Sequence, residues 1–354
     1  MKRIYFHLLS LFVLCSLFSC HKNTIPYTQS GDWAVESQLN GPARSEAVSF
    51  VINNFAYVGT GWDGLNTRYN DFWKYDPAGN VWTQVSSMPD STMRSSATAF
   101  SVGNLAFVGT GYDGFNYLND FYQFDPSANT WTRKAQFPGS PRYEAVGFGI
   151  GNFGYAGTGF DGANAQKDFY RYDPSSDSWT DVGFSGNKRY GAVTWVYNNQ
   201  GYLVTGVNSG VMQTDFWVFD PTTEPNWTEL RHISNYSSDS YDDGYINIAR
   251  WNASAFVIGN QAYISTGENG VTYPYTWEYD MTITNGVRND LWVEKTPFEG
   301  PPTTGAVGFS VTPDATNTGG GGFIGTGRSA PGQAGASDFL YQFFPLLTQN
   351  PNDN

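Results

Sequence analysis

Two cysteines and three histidines in 354 residues leave little room for thiol or imidazole chemistry. Cys15 and Cys20 both precede residue 21, so the body of the chain has no disulfide and no thiol nucleophile. His7 lies in the same N-terminal stretch, leaving His21 and His232, and a histidine-based nucleophile triad is hard to build around one such residue in the body. Positive charge is also scarce. There are 19 Lys and Arg against 32 Asp and Glu, a net charge of −13, which argues against a nucleic-acid partner. Apolar runs are short: Ile4 to Phe18, the longest, has 15 residues, and a membrane span needs ~20. No stretch carries the pattern of a long amphipathic helix. What the chain has instead is 17% aromatic residues, 40 Gly and 18 Pro, the composition of an all-β protein with many turns.

Residues 1–19 read as a targeting segment, with Lys2 and Arg3 ahead of the apolar run. The segment ends in Leu17-Phe18-Ser19-Cys20, which resembles a bacterial lipobox. Cleavage there would leave Cys20 as the lipidated N-terminus, and several acyl chains on one residue anchor stably. The alternative is an ordinary signal peptide with an incidental Cys. Losing Lys2 and Arg3 would take the net charge to −15. Residues 20–32 then form a polar tether, and the protein is expected in the bacterial cell envelope, at the outer membrane, held by its lipid. His21-Lys22-Asn23-Thr24 lacks the acidic run that resembles a surface-export tag, so display on the exterior is not supported, and the side of the membrane stays open.

The body repeats itself. Gly59 to Thr83, Gly109 to Thr132 and Gly157 to Thr180 are close copies, and the Thr of each Gly-Thr-Gly-like site recurs at Thr60, Thr110, Thr158, Thr205, Thr266 and Thr326. A small apolar strand precedes each site, with its Ala at Ala47, Ala97, Ala145, Ala192, Ala253 and Ala306. An aromatic strand follows and ends in Asp-Pro in four copies, then a Trp strand: Trp82, Trp131, Trp179, Trp227 and Trp292. The sixth copy lacks its Trp strand, while an orphan Trp strand at Trp33 precedes the first. A period of 47 to 61 residues with four short strands reads as an array of blades. The spare strand at one end and the missing one at the other predict a closed ring.

Here the chain resembles the kelch-repeat family. Tyr75 to Trp82, Phe124 to Trp131 and Tyr172 to Trp179 each enclose six residues between the aromatic and the Trp, though Thr-Gly replaces the usual double Gly. The resemblance implies an all-β, six-bladed kelch-type β-propeller over residues 33–345, its last blade closed by the strand around Trp33, with 346–354 a polar tail. It implies no single function, since such propellers serve as protein-binding modules, sialic-acid mutarotases and oxidases. Copper-radical oxidases of this type need a Cys joined to a Tyr and His ligands, so that activity is excluded; neither a cofactor nor a metal is expected.

Arg44, Arg94, Arg142, Arg189 and Arg250 each stand three residues before the inner-strand Ala, and Thr303 takes the place in the sixth copy. In a propeller these positions share one face, near the mouth of the central channel. Five guanidinium groups there would form a site for an acidic ligand, with Tyr143, Tyr190 and Trp251 beside them as aromatic surface. The alternative is that each Arg pairs with a local Asp or Glu. Glu46 and Glu144, one residue before the Ala, could act as acid and base in an enzyme, or be partners of the arginines. The loops Asp63 to Asn66, Asp113 to Asn116 and Asp161 to Asn164 could bind Ca²⁺ or be plain turns. Residues 228–250 lengthen one link over the arginine face, and Tyr236, Tyr241 and Tyr245 there could cover a ligand or belong to a surface loop. Residues 268–275, 281–290 and 312–322 also break the period. The expected function is a lipid-anchored, monomeric binding module for an acidic small molecule, glycan or protein segment; the alternative is a mutarotase or epimerase of an acidic sugar such as sialic acid.

Overall fold

The computed structural model describes residues 29–245, 247–313, 320–329 and 335–350. The targeting segment, Cys20, the tether up to residue 28 and the last four residues lie outside them, as do 314–319 within the 312–322 interruption. Apart from two single-turn 3₁₀ segments, Asp90–Thr92 and Ser240–Asp242, the regular structure described is strand.

Each copy folds as a four-stranded antiparallel meander. In blade two, Thr98–Val102 pairs with Leu105–Gly109, then Phe121–Asp125, then Thr130–Lys134. The inner turns follow from local chemistry: Asn53 and Asn54 both take positive φ, at 51° and 65°, as a two-residue hairpin requires. In the sixth blade, Val307–Val311, Gly321–Gly325 and Leu340–Thr348 accept Ser30–Glu36 as their fourth strand, with Trp33 opposite Phe343. The circle is therefore closed by the start of the chain, as the orphan Trp predicts. The strands extend three residues past each expected end, to Ser30 and Thr348. The pairing continues beyond Pro345 because the ladder shifts register between Ser30 and Asp32, a bulge that accommodates a residue with no N–H to give.

The core lies between blades. Phe50 stacks on Tyr57 of its own blade at 5.1 Å and meets Phe124 of the next at 6.2 Å. The repeated Trp residues fasten neighbours together. The indole N–H of Trp82, Trp131, Trp179 and Trp227 donates to the carbonyls of Ser37, Ser86, Ala135 and Gly183, each just past the outer strand of the preceding blade. Trp33 does the same to Thr296 across the closure, and packs edge-on against Phe256 and Phe298. Inner strands approach so closely that a Cβ on Gly149 would lie 1.8 Å from the Ser101 carbonyl oxygen. The link through residues 228–250 does lie on the arginine face, where Ile233 N–H donates to Thr214 O in the loop between strands two and three of blade four.

Candidate functional site

The five arginines are on one face, and all are at 0% exposure. Each is a latch inside its blade. Nε–H donates to the carbonyl two residues earlier, and Nη1–H to the carbonyl of the Gly-Thr-Gly threonine, as in Arg44 to Pro42 and Thr60 or Arg94 to Thr92 and Thr110. Those threonines hold φ near 60°, unusual for a β-branched residue, which turns their carbonyls toward the cation. In four blades the guanidinium also pairs with the Asp that precedes the third strand: Asp71, Asp120, Asp168 and Asp215. Arg250 has Tyr275 at that position and bonds only to carbonyls. Burial pulls its pKa down to about 9. The reading of these arginines as an open anion site is thus corrected: their donors are spent inside the fold and none faces solvent.

At the axis, six residues close a second ring. Glu46, Ser96, Glu144, Gly191, Asn252 and Gly305 all have φ between 50° and 64°. Each N–H donates to the carbonyl of the residue before it in the circle, from Ser96 to Glu46 at 2.8 Å round to Glu46 to Gly305 at 2.7 Å. The side chains of this ring and the inner-strand alanines line a well of about 150 Å³. Glu46 and Glu144, named from sequence, therefore meet in one cavity, although they are not the arginines' partners. Glu46 accepts from Ser96 Oγ at 2.8 Å and pairs with Arg328 at 3.1 Å. Glu144 Oε1 accepts from Asn252 at 3.2 Å, while Glu144 Oε2 is buried without a partner. Burial, with the nearby Glu46 charge, pushes the Glu144 pKa up to about 8. Glu268, held by Thr304 at 2.9 Å, is also raised by burial.

Aromatics wall the mouth. Tyr143 meets Phe160 at 5.8 Å, Phe160 meets Tyr190 at 5.1 Å, and Tyr190 meets Trp251 at 5.6 Å. Burial and the Glu144 charge raise the phenols of Tyr143 and Tyr190. On the other side Arg328 lies 5.3 Å over Trp62. Glu268 and Arg328 escape a reading based on the marked threonines. They sit two residues past Thr266 and Thr326, where the first three blades carry Trp62, Tyr112 and Phe160. That switch from aromatic to charged is the signal that finds them.

The remaining candidates have local roles. Asp63, Asp113 and Asp161 accept backbone N–H groups two to four residues ahead, so these loops are Asx turns. Of the inserted tyrosines, Tyr245 is buried and its hydroxyl accepts from Trp292 N–H at 2.6 Å. Tyr241 lies under Arg231 at 4.6 Å, and Tyr236 is exposed and stacked on His232 at 4.2 Å. None of these contacts is to a residue of the well.

The Kelch motif matches residues 43–89 and 93–138, which span blades one and two. A search of curated proteins found no match to the sequence. Among solved structures, the one titled "Structure of YjhT" aligns with a TM-score of 0.67 at 15% identity, covering 86% of this chain and 95% of that chain. At that identity the likeness concerns the fold alone. With the same meander closed six times round an axis, this chain is a six-bladed β-propeller that carries kelch motifs in its first two blades.

Proposed function

We propose that the protein is a lipid-anchored binding module of the bacterial cell envelope whose ligand enters the axial well. Kelch propellers are binding or enzymatic modules, and the axial well brings the carboxylates of Glu46 and Glu144 together in one cavity. The observation that carries the reading is Glu144 Oε2, a buried carboxyl oxygen with no partner on a residue that lines the well. A buried polar atom left unpaired costs about 1–3 kcal/mol, which a hydroxyl donor on a ligand would recover. A well of about 150 Å³ admits a single ring or a chain end and not a folded partner. Tyr143, Tyr190 and Trp251 supply flat faces for such a ring. An acidic group on it would meet Arg328, since the five latch arginines are closed to it. The ligand class is therefore a hydroxyl-rich small molecule or glycan end, acidic at one position. The anchor is read from residues 1–20 alone, which lie outside the described residues.

A second reading, mutarotation or epimerisation of an acidic sugar, is favoured by Glu144. A carboxyl that titrates near pH 8 can both give and take a proton close to neutrality. Exchange-transfer NMR of sialic acid with the full protein separates the two. Binding without faster anomer exchange supports the module; faster exchange that Glu144→Gln abolishes supports the enzyme. If neither sialic acid nor a panel of glycans perturbs the aromatic signals of the mouth, the well is not the binding site.

A further inference from the structure

The sixth blade keeps the frame of the arginine latch and lacks its arginine. Thr303 stands where Arg44, Arg94, Arg142, Arg189 and Arg250 stand, and a cavity of about 210 Å³ lies there, lined by Phe298, Pro301, Thr303, Thr326, Asp338 and Phe339 among others. The correspondence is residue by residue. Phe298 is five residues before Thr303, as Phe137 and Phe184 are before Arg142 and Arg189, whose guanidinium groups lie 4.8 and 5.4 Å from those rings. Pro301 occupies the place of Ser140 and Asn187, whose carbonyls accept the arginine Nε–H. Thr326 keeps the left-handed φ of 64° that in the other blades turns the threonine carbonyl to Nη1. Phe339 replaces the partner Asp, yet Arg250 shows that carbonyl oxygens suffice to hold a guanidinium in such a slot. Asp338, next to it, is an acidic residue of the same lining. The slot also reaches the surface, because Phe339 is 40% exposed.

We infer that this slot binds a guanidinium group supplied from outside the chain. The aromatic ring of Phe298, with the carbonyl positions of Pro301 and Thr326 that correspond to those of the other blades, fits a flat, weakly hydrated cation with N–H donors at its edge. An ammonium has the charge without that planar fork. The group could come from a free guanidino compound or from an arginine of a peptide.

Calorimetry on the full-length protein tests this with methylguanidinium, with urea as its uncharged counterpart, and with a Gly-Arg-Gly peptide. Methylguanidinium is expected to bind and urea not. Thr303→Arg fills the slot from within and should weaken binding at least about tenfold, whereas Thr303→Ala leaves it open and should change binding less than about twofold. Asp338→Asn should weaken it about threefold and serves if Thr303→Arg does not fold. Binding of the peptide alone assigns the site to an arginine of a protein partner; binding of methylguanidinium alone assigns it to a free compound. Binding of neither, or equal binding by Thr303→Arg, overturns the proposal.

Discussion

At the scale of single residues, identical positions round the ring do different work according to what burial leaves them. Arg94 spends its donors on Thr92, Thr110 and Asp120. Removing one side of a buried pair strands the other charge, so Arg94→Ala should cost about 3–5 kcal/mol in urea unfolding while leaving ligand binding at the well unchanged in protein that remains folded. Loss of binding without loss of stability would restore the arginine to the site. The Asp71 carboxyl is penalised by burial but held below its ordinary range by Arg44. A depressed folded pKa gives stability that is present above the unfolded value and lost as pH falls through the folded one, so the Arg44–Asp71 latch should weaken in acid below about pH 4. Glu144 has the opposite sign. Its pKa is raised in the fold, so the native state binds the extra proton, and stability should decline as pH rises from about 4.5 to about 8. Glu144→Gln should flatten that decline and stabilise the protein at pH 9 by on the order of 3 kcal/mol, read from thermal melts across the pH series. The latches also show where the sequence stops informing. Both members of each pair recur visibly, Arg142 with Asp168 or Arg94 with Asp120, but only the fold shows that they touch and that the touching closes them to solvent.

At the scale of the element, the outer strand with its Trp joins each blade to the one before. Trp33 carries that role across the closure, fully buried and bonded to Thr296. Trp33→Ala should cost about 3–5 kcal/mol, and Trp33→Phe less, since the ring contacts with Phe256, Phe298 and Phe343 are partly kept. Equal small losses for both would show that the closing strand is not a structural member. Blades one to four were legible because aromatic period, Asp-Pro turn and Trp all survive in them. Blades five and six were legible in outline only. There the third strands lose the pattern, and the position two residues past the marked threonine changes to Glu268 and to Arg328, which pairs with Glu46 of the well.

At the scale of the whole molecule, order depends on the two ends of the chain meeting. Deleting residues 1–36 would leave Leu340–Thr348 as an unpaired edge beside an empty half of the seam. Such an edge templates association, so the truncated protein should melt more than about 10 °C lower and aggregate, as light scattering would show. A truncated protein that stays monomeric with an unchanged melting point would mean that the last blade does not need its borrowed strand.

The circle of six peptide groups at the axis has one more effect. Its N–H and C=O vectors follow one another head to tail in a single rotational sense, and arrows arranged so cancel around the loop. In the plane of the ring, the collar therefore carries no net dipole. What a visitor meets at the opening is written by the four side chains the ring carries, those of Glu46, Ser96, Glu144 and Asn252, so evolution or design can re-ink the entrance while the hoop beneath stays intact.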